Sequence, residues 1–138
     1  MAGILAYRPD GSRARVLFHV RAGTYNDEAL IEVLRHLRRH LRGPVTLVWD
    51  GLPSHRSNLM RAFLQDQRSW LRVQPLPAYA PDLNPVEGLW ANLKGAELAN
   101  FCADTTGECI DAARKGVERV RGDAALAFAF LRQTGLLL

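Results

Sequence analysis

Residues 76–90 read LPAYAPDLNPVEGLW. Proline stands at 77, 81 and 85, and at 75 just ahead of the stretch. Each proline ring fixes φ at about −65° and removes an amide donor, so this backbone has little freedom. The rigid part ends where a helix should begin. Asn84 suits the N-cap, Pro85 suits the first helical position, and Val86, Leu89, Trp90 and Leu93 share one side at helical spacing. Glu87 is then the third helical residue, where a carboxylate can reach back to the cap amide in a capping box. Capping accounts for NPVE. It does not account for the rigid lead-in QPLPAYAPDL, which is suited to holding a helix mouth in one place beside a strand end.

The neighbouring segments extend this pattern in both directions. Upstream, LRVQPLP (71–77) reads as a strand ending in prolines, and Leu59, Met60, Phe63 and Leu64 form the apolar stripe of a helix capped by Ser54 or Ser57. VTLVW (45–49) is an unbroken apolar run of strand length that ends at Asp50, and its composition predicts burial on both faces. Before it, Asn26 caps a helix with Asp27 and Glu28 in the first turn. Leu30, Ile31, Leu34, Leu37 and Leu41 fall on one face of that helix, while Arg35, Arg38, Arg39 and Arg42 fall together on another. Gly43 and Pro44 are expected to stop it. The first twenty residues read as a hairpin, with Gly3 to Tyr7 and RARVLFHV (13–20) joined through RPDGS. Downstream, residues 105–134 read as two helices broken near Gly122. The order β-β-α-β-α-β-α-α-α predicts an α/β fold, a mixed sheet with helices packed on it, in a single domain over 1–138.

Composition narrows the function classes. Hydrophobic residues make up 48% of the 138, a globular proportion. No apolar run approaches a membrane span, and MAGILAYRPD has no basic leader, so a cytoplasmic protein without a membrane is expected. Cys102 and Cys109 do not have metal-ligand spacing and read as two buried or idle thiols. Sixteen of the 18 basic residues are arginine, which suits phosphate contacts. The charge is uneven: residues 1–43 carry eight arginines against four acids, whereas residues 44–138 balance ten against ten. The arginine face at 35, 38, 39 and 42 is therefore a candidate DNA contact, with a merely solvated helix face as the other reading.

Asp50 follows a strand directly, and in open α/β sheets ligands gather at the carboxyl ends of strands. A carboxylate there offers hard oxygen donors to Mg²⁺. An aspartate opening an ordinary Asp-Gly turn is the structural alternative.

VTLVWDGLPSH (45–55) followed by LPAYAPDLNPVEGLWANLK (76–94) resembles the DDE-superfamily endonuclease domain of bacterial insertion-sequence transposases allied to the mariner elements. The resemblance implies an RNase H-like fold and Mg²⁺- or Mn²⁺-dependent DNA strand cleavage and transfer. It implies that Asp50 is the second metal-binding carboxylate and Glu87 the third, with 36 residues between them. His55 is similar to the family's histidine after the second carboxylate and is a candidate for touching phosphate or orienting a water. A histidine in the first turn of a surface helix is the alternative. The implied partner is DNA, at transposon ends and target.

The family's first acid lies within a first strand. Upstream of Asp50 the only aspartates are Asp10, in the hairpin turn, and Asp27, at a helix start. The strand from Gly3 to Tyr7 therefore aligns with the family's second, and the expectation is an N-terminally truncated domain that lacks its first catalytic strand and is inactive as an isolated chain. Its partner would then include an upstream transposase segment or a second copy of the chain. A non-catalytic remnant that binds DNA or docks onto another transposase chain is the competing reading.

Overall fold

The computed structural model describes residues 1–51, 53–99 and 105–136. In chain order the elements are β1 (Ala2–Tyr7), β2 (Ala14–His19), α1 (Asp27–His40), β3 (Val45–Trp49), α2 (Asn58–Asp66), β4 (Leu71–Pro75), α3 (Pro85–Ala96), α4 (Thr106–Arg121) and α5 (Ala124–Gln133). Short 3₁₀ turns lie at Pro53–Arg56 and Pro81–Leu83. The chain forms two compact units, Met1–Arg21 with Asp82–Leu138, and Ala22–Pro81. Both kinds of pairing expected of a mixed sheet are present, divided between two two-stranded sheets: β1–β2 is antiparallel and β3–β4 is parallel.

The discontinuous unit is a hairpin covered by three helices. Gly11 takes φ +69° in the turn, the Arg8 amide donates to the Arg13 carbonyl at 2.9 Å, and the Ser12 amide donates to Asp10 Oδ1 at 2.9 Å. The pairing runs from Ala2 opposite His19 to Tyr7 opposite Ala14. The interior gathers Val16 from β2, Leu89 and Leu93 from α3, Val117 and Val120 from α4, and Ala127 and Phe130 from α5. Trp90, read as core from the sequence, packs against this cluster and tilts onto Phe18 with ring centroids 6.2 Å apart. The Tyr7 hydroxyl donates to the Ala127 carbonyl at 2.8 Å, and burial pushes this phenol up to about 12. The expected break between the last two helices falls at Gly122, the C-cap of α4, and Asp123 then caps α5.

Helix α3 is held at unusually close range. A methyl on Gly88 would lie 2.9 Å from Phe130, and one on Gly3 would lie 2.9 Å from Trp90. One on Gly116 of α4 would overlap Leu93 and sit 2.6 Å from the Glu97 carboxylate. That carboxylate is the α3–α4 tie: Arg119 Nε donates to Oε1 at 2.6 Å and Nη2 to Oε2 at 3.0 Å. The same Nη2 reaches Asn92 Oδ1 at 2.6 Å.

The continuous unit pairs two parallel strands through α2. Val45 lies opposite Leu71 and Trp49 opposite Pro75. Asn26 caps α1 by accepting from the Ala29 amide at 3.0 Å, and Ser57 caps α2 by accepting from the Met60 amide at 3.1 Å. The interior of this unit includes Ala29, Ile31, Val33, Leu34 and Leu37 of α1, Met60 of α2, and Trp70 and Leu71.

Two features depart from the sequence reading. β3 is not buried on both faces: Val45, Leu47 and Trp49 are half-buried, whereas Thr46 and Val48 are exposed, Val48 by 39%. Among the described residues β3 pairs with β4 alone, and it shows the alternation of a sheet packed on one side. The second departure concerns α1, which ends at His40, ahead of Gly43. Leu41 is already extended and Gly43 takes φ +86°, a left-handed conformation that no helix continues into. Arg42 therefore lies beyond the helix and not on its arginine face.

The Arg119 hydrogen bonds hold the Glu97 carboxyl below the usual carboxylate range, against the opposing effect of burial. A lowered folded pKa gives stability that is present above the unfolded value, about 4.3, and is lost as pH falls through the folded one. Arg119 is 40% exposed, so solvent limits the pair to about 1 kcal/mol at neutral pH. Urea titrations of Glu97→Gln are expected to show that loss at pH 7 and a shallower decline than the parent as pH falls below about 4.3.

Candidate active site

Asp50 is exposed and lies immediately after β3, at the carboxyl end of the parallel pair. The strand end is fixed by the Leu76 amide, which donates to the Trp49 carbonyl at 2.8 Å. The turn after Asp50 is tied as well. Arg56 Nε donates to the Gly51 carbonyl at 3.1 Å and Nη2 donates to the same oxygen. The sequence reading missed this clamp. Nothing in the string HRS signals that an arginine turns back to a carbonyl five residues earlier.

Glu87 is exposed in the first turn of α3. The cap forms without it: Asn84 Oδ1 accepts from the Val86 amide at 3.3 Å, and the Glu87 amide donates to the Asn84 carbonyl at 3.0 Å. The two-sided capping box appears instead at α4, between Thr105 and Glu108. Among the described residues the Glu87 carboxylate has no hydrogen bond or ion pair, so helix capping does not occupy it.

The two carboxylates belong to different units, Asp50 to Ala22–Pro81 and Glu87 to the other. Among the described residues no three His, Cys, Asp or Glu side chains gather into a metal cluster. The other two aspartates weighed upstream are used locally. Asp10 closes the hairpin turn, and its hydrogen bonds from Ser12 hold its carboxyl below the ordinary value. Asp27 opens α1. As donors, Asp50 and Glu87 offer hard carboxylate oxygens, the chemistry that Mg²⁺ and Mn²⁺ take. The side chain of His55 and all of Cys102 lie outside the described residues, and Cys109 is a half-buried free thiol.

The arginines of α1 are more than a solvated stripe. Arg38 stacks over Trp70 at 4.8 Å from the ring centroid, and Arg35 lies over Phe63 at 5.7 Å. Arg38 Nη1 also donates to the Gly43 carbonyl at 3.4 Å, and Arg39 Nη2 to His36 Nδ1 at 3.4 Å. All three arginines are exposed, with the first two anchored on aromatic faces.

Residues 4–106 match the family described as DDE superfamily endonuclease, and the chain belongs to that family. Three solved structures share its fold. The catalytic domain of Mos1 mariner transposase is 22% identical with a TM-score of 0.62, and the match covers 89% of this chain and 61% of that one. The Mos1 mariner paired end complex with Mn gives 21%, 0.63, 88% and 36%. The Mos1 transposase catalytic domain with Raltegravir and Mn gives 22%, 0.61, 89% and 62%. The chain thus spans about three-fifths of the length of that catalytic domain. The likeness supports the α/β, RNase H-like architecture. No curated protein matches the sequence. Among the described residues no helix is long and apolar enough to cross a membrane.

The cap geometry separates two roles at one helix mouth. Asn84→Ala is expected to cost about 1 kcal/mol of stability, as loss of an N-cap does. Glu87→Gln is expected to cost less than about 0.5 kcal/mol, since the side chain supports no fold contact and loses only a helix-dipole interaction. Paired thermal or urea melts check both values.

Proposed function

We propose that this chain cleaves and joins DNA strands in transposition, as part of a transposase of the bacterial insertion-sequence type acting in the cytoplasm. Asp50 and Glu87 are two of the carboxylates that hold its divalent ions. The observation that carries the reading is the Glu87 carboxylate: it sits in the proline-framed motif of a DDE-family chain, is exposed, and is left unused by the cap beside it. Asp50 supports it from the end of a parallel strand, where the Arg56 clamp fixes the following turn.

Asp50 and Glu87 would hold Mg²⁺ or Mn²⁺, which when bound would supply the Lewis acidity that attack on a DNA phosphate requires. The chain's own residues do the positioning. Asp50 and Glu87 present oxygen donors from a strand end and a helix start, elements stiffer than a free loop. Arg35, Arg38 and Arg39 neutralise DNA phosphates, with Arg35 and Arg38 oriented in advance by the rings beneath them. Arg42 contributes from the segment beyond α1, and His55 contacts phosphate or water. The solved relatives bear on the metal and the partner through their own descriptions: a paired end complex with Mn, and catalytic domains with Mn and with Mg. Asp10 is engaged in the hairpin turn and Asp27 stands at the start of α1, so in this reading the donor set is completed by an upstream transposase segment or a second copy of the chain.

Mn²⁺ titration followed by the paramagnetic resonance signal of free ion tests the shared site. Asp50→Asn and Glu87→Gln are each expected to weaken binding roughly tenfold or more, within the range of a lost ligand-shell interaction, with unchanged circular dichroism. Identical titrations in parent and both variants would sink the assignment.

The DNA face has its own readout. Replacing Arg35, Arg38 and Arg39 with Gln is expected to reduce the salt slope of non-specific duplex binding by up to about three, roughly one for each phosphate no longer neutralised. An unchanged slope assigns Arg35 and Arg38 to packing on Phe63 and Trp70, and Arg39 to its contact with His36.

A further inference from the structure

Tyr79 stands apart from the other aromatic residues. It is fully exposed, at 103% of its reference area. It is also the one non-glycine residue with positive φ, +59°, among the described residues. A left-handed conformation crowds the Cβ of an L-residue against its own backbone, and a glycine at the same place would avoid most of that cost. Such strain persists where the surroundings impose it, and here prolines at 75, 77 and 81 frame the residue. No packing compensates, because the ring is entirely in solvent. The rigid lead-in to α3 therefore does more than hold a helix mouth: it fixes an aromatic ring outward.

We infer that Tyr79 is a stacking platform for an unpaired nucleobase of bound DNA. The inference rests on the functional reading above and deepens it by naming a base contact. Two features favour a base over a protein partner. The unit that carries Tyr79, residues 22–81, holds eight arginines against five acids, a balance that draws a polyanion. A tyrosine ring held in solvent on a constrained turn offers a π-face on which any base can stack. Strand processing places single-stranded ends near the reacting phosphate, and an unstacked base recovers its lost stacking on such a ring.

The test uses the full chain and two fluorescein-labelled duplexes of the same arbitrary sequence, one blunt and one with a three-nucleotide single-stranded overhang carrying 2-aminopurine. Anisotropy at low salt reads affinity, and 2-aminopurine emission reads stacking. The parent is expected to bind the overhang duplex at least about fivefold more tightly than the blunt one, the lower end of a base–aromatic stack, and to quench the probe base. Tyr79→Ala is expected to abolish both the preference and the quenching while leaving blunt-duplex affinity in place. Tyr79→Phe and Tyr79→Trp, which keep a ring, are expected to restore both. Equal preference in parent and Tyr79→Ala, with DNA binding intact, overturns this inference alone. A change in oligomeric state on sizing with no change in DNA preference assigns the ring to a protein contact and also overturns it. Failure of the parent to bind either duplex removes the functional reading and this inference together.

Discussion

Helix α3 lies closer to its neighbours than any side chain on three glycines would allow. Gly3 admits the indole of Trp90, Gly88 admits the ring of Phe130, and Gly116 admits Leu93 and the Glu97 carboxylate. Leu89 and Leu93 are fully buried between these contacts. Interiors packed at this density do not deform smoothly, so the helix has one seat. The Glu97–Arg119 tie fixes it at the far end, and the Asn84 cap fixes its mouth. The core of the discontinuous unit is therefore also the mounting of Glu87. The residue proposed to hold metal needs no stabilising partner of its own because its helix is held elsewhere.

Asp50 is mounted by different means. Its strand has an exposed face and, among the described residues, a single paired neighbour, which gives it less burial than α3 enjoys. Rigidity comes instead from polar ties at the strand end, the Leu76 amide on Trp49 and the Arg56 fork on Gly51. Two carboxylates of similar proposed role thus depend on unlike physics, apolar packing for one and hydrogen bonding for the other.

Much of this is legible in the residues themselves. The hairpin around RPDGS, the caps at Asn26, Ser57 and Asn84, and the break at Gly122 are local chemistry, and local signals find them. The DDE-family resemblance rests on the long motif around Glu87, and the family match over residues 4–106 agrees with it. What sequence could not supply was tertiary. An apolar run such as VTLVW reads alike whether one or two of its faces are covered. Arg35 and Arg38 look like any arginine stripe until Phe63 and Trp70, more than 25 residues away, are folded beneath them. Leu41 turns out of the helix under the demand of a left-handed Gly43, which a spacing rule does not weigh. Tyr79 gives no sequence hint of its backbone conformation, since left-handed positions are read from Gly or Asn.

The insertion of one unit within the sequence of the other sets an order in time. The Tyr7 hydroxyl meets Ala127, 120 residues later, and Arg121 donates to the Val16 carbonyl, 105 residues earlier. Contacts of such separation form slowly because loop closure precedes any gain from packing. The hairpin is made ahead of the helices that pack on it and must wait for α5 before its apolar face is covered. Residues 22–81 form a continuous unit whose parallel pairing closes between Val45 and Pro75, so its strands can pair before α3, α4 and α5 are made. Of the two units, the discontinuous one is begun before the other and completed after it. Through that interval β1 and β2 present apolar surface that α3, α4 and α5 later cover.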